Sequence, residues 1–429
     1  MKYFYFLLLI IPMLVCGQGW EKDFGPGLGY SVQQTNDSGF ILTGTLSNAY
    51  SISNLALIKT NNNGDSLWTR LYGDTNESTG FFVTQTNDGG FFAGGYISEL
   101  NQDSIFQNGI FLVKTDYKGD SLWTKKYLGI IGEEFQQTND GGYVITGYKF
   151  NNSSQGIDFI ILKTDSNGDT LWTKTYNENN RDYAYSIKQT NDGGYIITGT
   201  SIPSGSNYHI YVLKTDSLGN SEWSKTFGEY NQGQAYSIIQ NIDGSFILLG
   251  YTNNYPSTPE KYEQILLIKM NTVGDTLWTK GFDLHTHNQG YEIIQTSNGE
   301  YVIVGYIKTI SNEKKIYLVK TNSFGDTLWT KTFGHGISCS GYSVKETNDG
   351  GFIITGWDTF SNGLYTMVLI KTDGNGNMLS VNKLPIQNKN RKLVKIIDLL
   401  GREINKPSKN LPFIEVYDDG TTKKKMIID

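Results

Sequence analysis

Residues 185–199 read YSIKQTNDGGYIITG. Two runs rich in β-branched and aromatic residues flank Asn191-Asp192-Gly193-Gly194. Asx hydrogen bonding and a glycine free to adopt positive φ are what a tight hairpin requires. The same block recurs along the chain as QTNDSG at Gln34, QTNDGG at Gln85, Gln137 and Gln189, QNIDGS at Gln240, QTSNGE at Gln295 and ETNDGG at Glu346. The steps are 51, 52, 52, 51, 55 and 51 residues, so one unit is repeated seven times. A second landmark keeps pace with the first. An apolar run ends at Lys59, Lys114, Lys163, Lys214, Lys269, Lys320 and Lys371, and in the first six copies a glycine turn and a strand bearing Trp68, Trp123, Trp172, Trp223, Trp278 or Trp329 follow.

Within the third copy, residues 133–137, 143–147, 158–163 and 170–176 have β character, and each is bounded by turn residues. Four short antiparallel strands in about 50 residues match the blade of a β-propeller. Phe159-Ile160-Ile161-Leu162 is apolar on both faces, so one blade cannot stand alone and must stack on its neighbours. The expected fold is therefore all-β, a seven-bladed β-propeller of four-stranded antiparallel blades over residues 18–384. Closing such a ring needs one strand from the other end of the chain. Residues 20–25, WEKDFG, align with WTKTFG at 329–334 but have no preceding strands of their own, and they are expected to complete the seventh blade; residues 378–383 compete for that place. The spacing of apolar run, Lys, Gly turn and Trp resembles the blades of pyrroloquinoline-quinone-type propellers, which implies that the Trp strand is outermost. No residue matches that family's quinone or metal ligands, so its activity does not come with the resemblance.

The termini carry a different signal. Residues 1–13, MKYFYFLLLIIPM, have one Lys and then an apolar run of signal-peptide length, with cleavage expected after Gly17. No later run approaches the 18 apolar residues of a membrane span. The last 45 residues hold 10 Lys and Arg against 6 acidic groups, whereas residues 18–384 hold 25 against 36. The acidic body speaks against nucleic acid as a partner, because a phosphate backbone is bound by basic faces. The tail has a strand leading into LLGRE at residues 399–403, YDDG at 417–420, and a basic then apolar end from Lys423. It resembles the C-terminal sorting domain of the type IX secretion system of Bacteroidota. The resemblance implies that Gly401, Arg402, Tyr417, Asp418, Asp419, Gly420, Lys423, Lys424 and Lys425 form a sorting signal read by that machinery, and that the chain passes through the periplasm to the cell surface or beyond.

No catalytic constellation emerges. Asp165-Ser166-Asn167-Gly168-Asp169 has oxygen ligands at alternate positions, but the third position is Lys118, Leu218, Val273 or Phe324 in other copies, which favours a turn over a calcium loop. The seven lysines recur identically, as expected of a shared structural task such as covering strand edges. His285 and His287 lack a third metal ligand, and His335 with Cys339 fixes no nucleophile geometry. Asp182, Glu229, Asp283 and Asp358 are not tied by spacing into a glycosidase pair. Cys16 falls in the leader, so Cys339 has no disulfide partner.

The connections after the second and fourth strands vary between copies while the other turns do not, so binding is expected on the face where those connections emerge. There the residue after each second-strand glycine is Thr45, Tyr96, Tyr148, Thr200, Tyr251, Tyr306 or Trp357. Tyr96, Tyr148, Tyr251, Tyr306 and Trp357 are the candidate ligand contacts, by ring stacking on a glycan or protein ligand. The expectation is a surface or secreted binding module without cofactor or metal. A polysaccharide hydrolase or lyase and a structural envelope component are the alternatives.

Overall fold

The computed structural model describes residues 19–47, 53–73, 77–100, 106–150, 156–178, 181–203, 207–227, 233–253, 262–282, 284–359, 363–378, 393–397, 403–404, 412–417 and 422–426. The chain divides into two compact units, Met1–Leu379 and Ser380–Asp429. In the smaller unit, the strands Leu393–Ile397, Pro412–Tyr417 and Thr422–Met426 pair antiparallel in that order. Gly401, Arg402, Asp418, Asp419 and Gly420 lie outside the described residues, as does the leader.

The larger unit is built from antiparallel meanders, and the fourth shows the rule. Arg181–Gln189, Tyr195–Ile202, His209–Thr215 and Ser221–Phe227 pair each with the next. Meanders of the same kind begin at the strands Glu77–Gln85, Ile131–Gln137, Gln234–Gln240 and Asn288–Gln295. The strand Trp20–Gln34 serves twice. From Gly27 onward it is the first strand of the first meander, paired with Phe40–Ser47, whereas Trp20 to Pro26 pair with Tyr365–Thr372, Trp20 facing Lys371. Those residues thereby become the fourth strand beside Ser338–Glu346, Phe352–Thr359 and Tyr365–Thr372. Pro26, which has no N–H to offer a ladder, sits at the change of partner.

The first strands of successive meanders touch one another, and the cycle returns from Ser338–Glu346 to Trp20–Gln34. Three side-chain motifs repeat around the same cycle. Each Trp ring lies against the turn glycine of the next meander, from Trp20 on Gly64 through Trp68 on Gly119 to Trp329 on Gly376. The residue two beyond each Trp reaches that turn as well: Lys22 to Asp65 at 2.7 Å, Lys125 to Asp169 at 2.6 Å, Lys331 to Asn377 at 2.8 Å. The glutamine of the hairpin motif accepts the backbone N–H of the preceding meander's turn, as Gln189 Oε1 does from Asn139 and Gln34 Oε1 from Asn348, both at 2.9 Å. The bond from Asn348 to Gln34 joins residues 314 apart in sequence.

The repeated lysines do not cover strand edges. They are turned inward: Lys163 and Lys214 are each 3% exposed. Lys214 Nζ stands 2.9 Å from Asp192 Oδ2, from Glu222 Oε2 and from the Thr215 carbonyl, which satisfies its three donors. This contact explains the two hairpin glycines separately. Gly193 has φ of 84°, and a Cβ on Gly194 would land on the Thr215 carbonyl oxygen beside the lysine. In the sixth meander the turn carries Asn298 in place of Asp, and Glu300 supplies the carboxylate to Lys320 at 2.8 Å. Between meanders the core is aliphatic; Ile196, Val212, Phe246, Leu248 and Ile268, for example, pack together with at most 1% exposure. Each such side chain contributes about 1.5–3 kcal/mol by leaving water.

Candidate functional site

The first strands line the middle of the larger unit, and their pairing is irregular at the same place in every meander. Gly29 pairs with Gly44 and Ser31 with Thr43, so Tyr30 is left over as a β-bulge. The equivalent left-over residues are Phe81, Glu133, Tyr185, Tyr236, Tyr291 and Tyr342. A bulge re-aims one side chain out of the alternation of a strand. Here all seven re-aimed side chains line one cavity of about 260 Å³. The residue before each bulge is Gly or Ala because it backs onto the preceding meander; a Cβ on Gly290, for instance, would meet Leu249.

Six of the seven form an aromatic collar. Phe81 meets Tyr30 edge-on at 5.2 Å between centroids, Tyr30 stacks on Tyr342 at 5.0 Å, and Tyr342 leans on Tyr291 at 4.9 Å. Tyr291 then contacts Tyr236 at 5.5 Å, and Tyr236 contacts Tyr185 at 5.6 Å. Glu133 occupies the remaining place in the cycle, between the meanders of Phe81 and Tyr185. Burial pushes its carboxyl up to about 7, and it also raises the hydroxyls of Tyr30 and Tyr185 above the ordinary tyrosine value. Among the described residues no donor hydrogen-bonds Glu133.

The residues next to the collar knit adjacent meanders together. Ser31, Ser186 and Ser237 accept the backbone N–H of Val83, Ile238 and Ile293 at 3.4, 3.2 and 3.4 Å. Where that position is a glutamate, the same bond is kept and a lysine is added. Glu134 accepts from Ile187 N–H at 2.7 Å and pairs with Lys188; Glu292 accepts from Val344 N–H at 2.7 Å and pairs with Lys345. All four charged residues line the cavity.

The aromatic residues expected at the rim stand around the collar rather than in the cavity. Tyr251 stacks on Tyr236 at 5.8 Å, and Tyr306 lies 6.1 Å from Tyr291. Tyr148 reaches the collar through Tyr183, its ring 4.9 Å away, which stacks in turn on Tyr185. Trp357 packs edge-on against Tyr365 at 5.1 Å, and Tyr96 donates to Asn108 Oδ1 at 2.7 Å. Tyr306 is 4% exposed, donates to Glu263 at 3.1 Å and carries the Lys314 ammonium 4.0 Å above its ring. Thr45 and Thr200 are buried. Tyr96, Tyr148, Tyr251 and Trp357 are half-buried. The collar itself was missed by sequence reading, although its signal was present. Aligning the copies on the hairpin motif puts Tyr30, Phe81, Glu133, Tyr185, Tyr236, Tyr291 and Tyr342 in one column, four residues before the Gln or Glu.

The remaining candidates have structural partners. Asp165 Oδ1 accepts the N–H groups of Asn167 and Asp169 at 2.9 and 2.8 Å, an Asx turn. Cys339 is buried with its Sγ 3.0 Å from Asp358 Oδ1, and burial together with that carboxylate pushes the thiol up to about 12, far from a reactive thiolate. Asp358 also accepts the backbone N–H of His335 and Gly336. Asp182 accepts from Ser201 at 2.5 Å and from the Glu178 N–H at 2.8 Å. His287 lies 3.7 Å from Glu263 and edge-on to Tyr262. Glu229 and Asp283 lie outside the described residues. Among the described residues no three His, Cys, Asp or Glu side chains are grouped to hold a metal ion.

No protein-family model matches the sequence, and no curated protein matches it. Solved structures do. The β-propeller domain of the Trilobed protease from Pyrococcus furiosus is 13% identical over 84% of this chain and 100% of that one, with a TM-score of 0.47. Puromycin hydrolase is 8% identical with a TM-score of 0.51, and its S511A mutant complexed with PGG is 9% identical with a TM-score of 0.52. This chain spans 58% of each hydrolase chain, which in turn covers 92% of this one. The likeness is one of fold: an all-β arrangement of antiparallel sheets of the β-propeller kind.

Proposed function

We propose that this chain is a closed seven-bladed β-propeller, exported through the C-terminal tail, that works as a binding module for a glycan or protein ligand at the cell surface or outside the cell. Closure is supported by the pairing of Trp20 to Pro26 with Tyr365–Thr372 and by the bond from Asn348 to Gln34. The observation that carries the binding role is the aromatic layer reaching inward from the variable-loop side. Tyr148 and Tyr251 each connect to the collar through ring contacts, and large rings that stay partly open to solvent suit stacking on flat apolar ligand faces. Most of the connections on that side lie outside the described residues.

The test is a glycan and peptide array probed with the purified chain, with each hit assayed for product. Saturable binding without turnover supports the module. Turnover of a polysaccharide hit would replace it with the hydrolase or lyase reading, and silence on both arrays would favour a structural envelope role.

A further inference from the structure

We infer that the collar cavity is a second site, distinct from the rim, and that it takes a small organic cation: an alkylated ammonium or amine held by Glu133 among the collar rings. The first support is the pattern of charge. Glu134 is matched by Lys188 and Glu292 by Lys345, so Glu133 is the one carboxylate lining the cavity without a cation among the described residues. The second is position. The other six meanders place Tyr or Phe at this bulge, and those residues complete the structure without a charge. A carboxylate placed there instead costs desolvation and receives no hydrogen bond from the described residues in return, an arrangement that a bound cation would compensate.

The chemistry of the lining selects among ligands. A hard metal ion needs several oxygen ligands, and the neighbouring carboxylates are already engaged by lysines. An anion would need those lysines free. An organic ammonium needs one carboxylate and aromatic surfaces, and rings within about 6 Å attract a cation. The cavity, about 260 Å³, falls below the range of about 300–1,000 Å³ typical of drug-sized sites, so the ligand is small. No rim aromatic lines it, and this site stands or falls independently of binding at the rim.

Calorimetric titration of the full chain with choline, and with its uncharged isostere 3,3-dimethylbutan-1-ol, tests the inference. Choline should bind saturably and at least about tenfold more tightly than the isostere, the order expected for desolvated cation–π attraction plus a counter-charge. Glu133→Gln should remove that preference. Glu133→Tyr, which copies the collar residue of five other meanders, should fold and lose choline binding altogether. Equal affinity for the two probes, absence of saturable choline binding, or choline binding retained in a folded Glu133→Tyr chain would each overturn the inference. The glycan and peptide array result should be the same for the wild-type chain and Glu133→Gln, which separates failure here from failure of the rim site.

Discussion

Replacing Glu133 with Gln should stabilise the protein at pH 8 and leave it unchanged at pH 4. The carboxyl ordinarily titrates near 4.5 and is raised to about 7 in the folded chain by burial. A raised acid binds its proton more tightly when folded, so the contribution of Glu133 to stability is greatest below pH 4.5, falls as pH rises toward 7, and is level above that. At about 1.4 kcal/mol per pH unit, the displacement corresponds to no more than about 3 kcal/mol. Glu133 is only half-buried, so solvent screening reduces this, leaving an expected gain of about 1–3 kcal/mol for the uncharged amide. With about 2.1 cal/mol/K of unfolding entropy per residue, a body of about 360 residues changes its Tm by about 1.3 °C per kcal/mol, so the variant should melt about 1–4 °C higher at pH 8. The tyrosines facing Glu133, namely Tyr30, Tyr148 and Tyr185, are raised by burial and stay neutral throughout this range. Glu134 and Lys188 pair with each other in both proteins. Differential scanning calorimetry at the two pH values reads the effect. An equal change at both, or a variant that melts lower at pH 8, would refute the reasoning.

Trp20→Ala should lower the stability of the whole body by about 2–3 kcal/mol, at the lower end of buried aromatic truncations because the ring is half-buried, and Trp172→Ala should cost about the same; a Trp20 variant that melts like the wild type would mean that the ends are not locked together. Asp140→Asn should strand the Lys163 ammonium in the interior and cost about 3 kcal/mol, whereas the double variant with Lys163→Met should recover most of that loss in urea denaturation, because no buried charge is then left alone. A periplasmic reporter fused to residues 385–429 should cross the outer membrane of a Bacteroidota host that has the type IX system, and removing residues 423–429 should trap it inside; equal export of both would reduce the tail to a structural cap.

The parts of this fold that sequence discloses are those set by local chemistry. The Asn-Asp-Gly-Gly turn needs its residues wherever it sits, and the apolar runs ending at Lys59 through Lys371 mark buried strands by composition alone. The orphan strand at residues 20–25 was legible because it copies 329–334. The role of the lysines was not, since Lys163 meets Asp140 across a hairpin and only the pairing register brings them together. Bulges are equally silent, because a residue left out of a ladder looks like any other until both strands are in register. The attention drawn to varying loops also hid the collar, whose column is nearly constant and departs from aromatic character only at Glu133.

The central claim is that the half-open aromatic layer on the variable-loop side binds ligand. Its most direct test is the triple replacement Tyr148→Ala, Tyr251→Ala and Trp357→Ala, measured for affinity toward the strongest array hit and for Tm in the same preparation. The account predicts that binding falls by at least about tenfold, since each lost ring contact contributes on the order of 1 kcal/mol, while the melting temperature stays within a few degrees of the wild type. Collapse of the melting temperature would show that the three rings are core, and unchanged affinity in a stable variant would show that the ligand binds elsewhere.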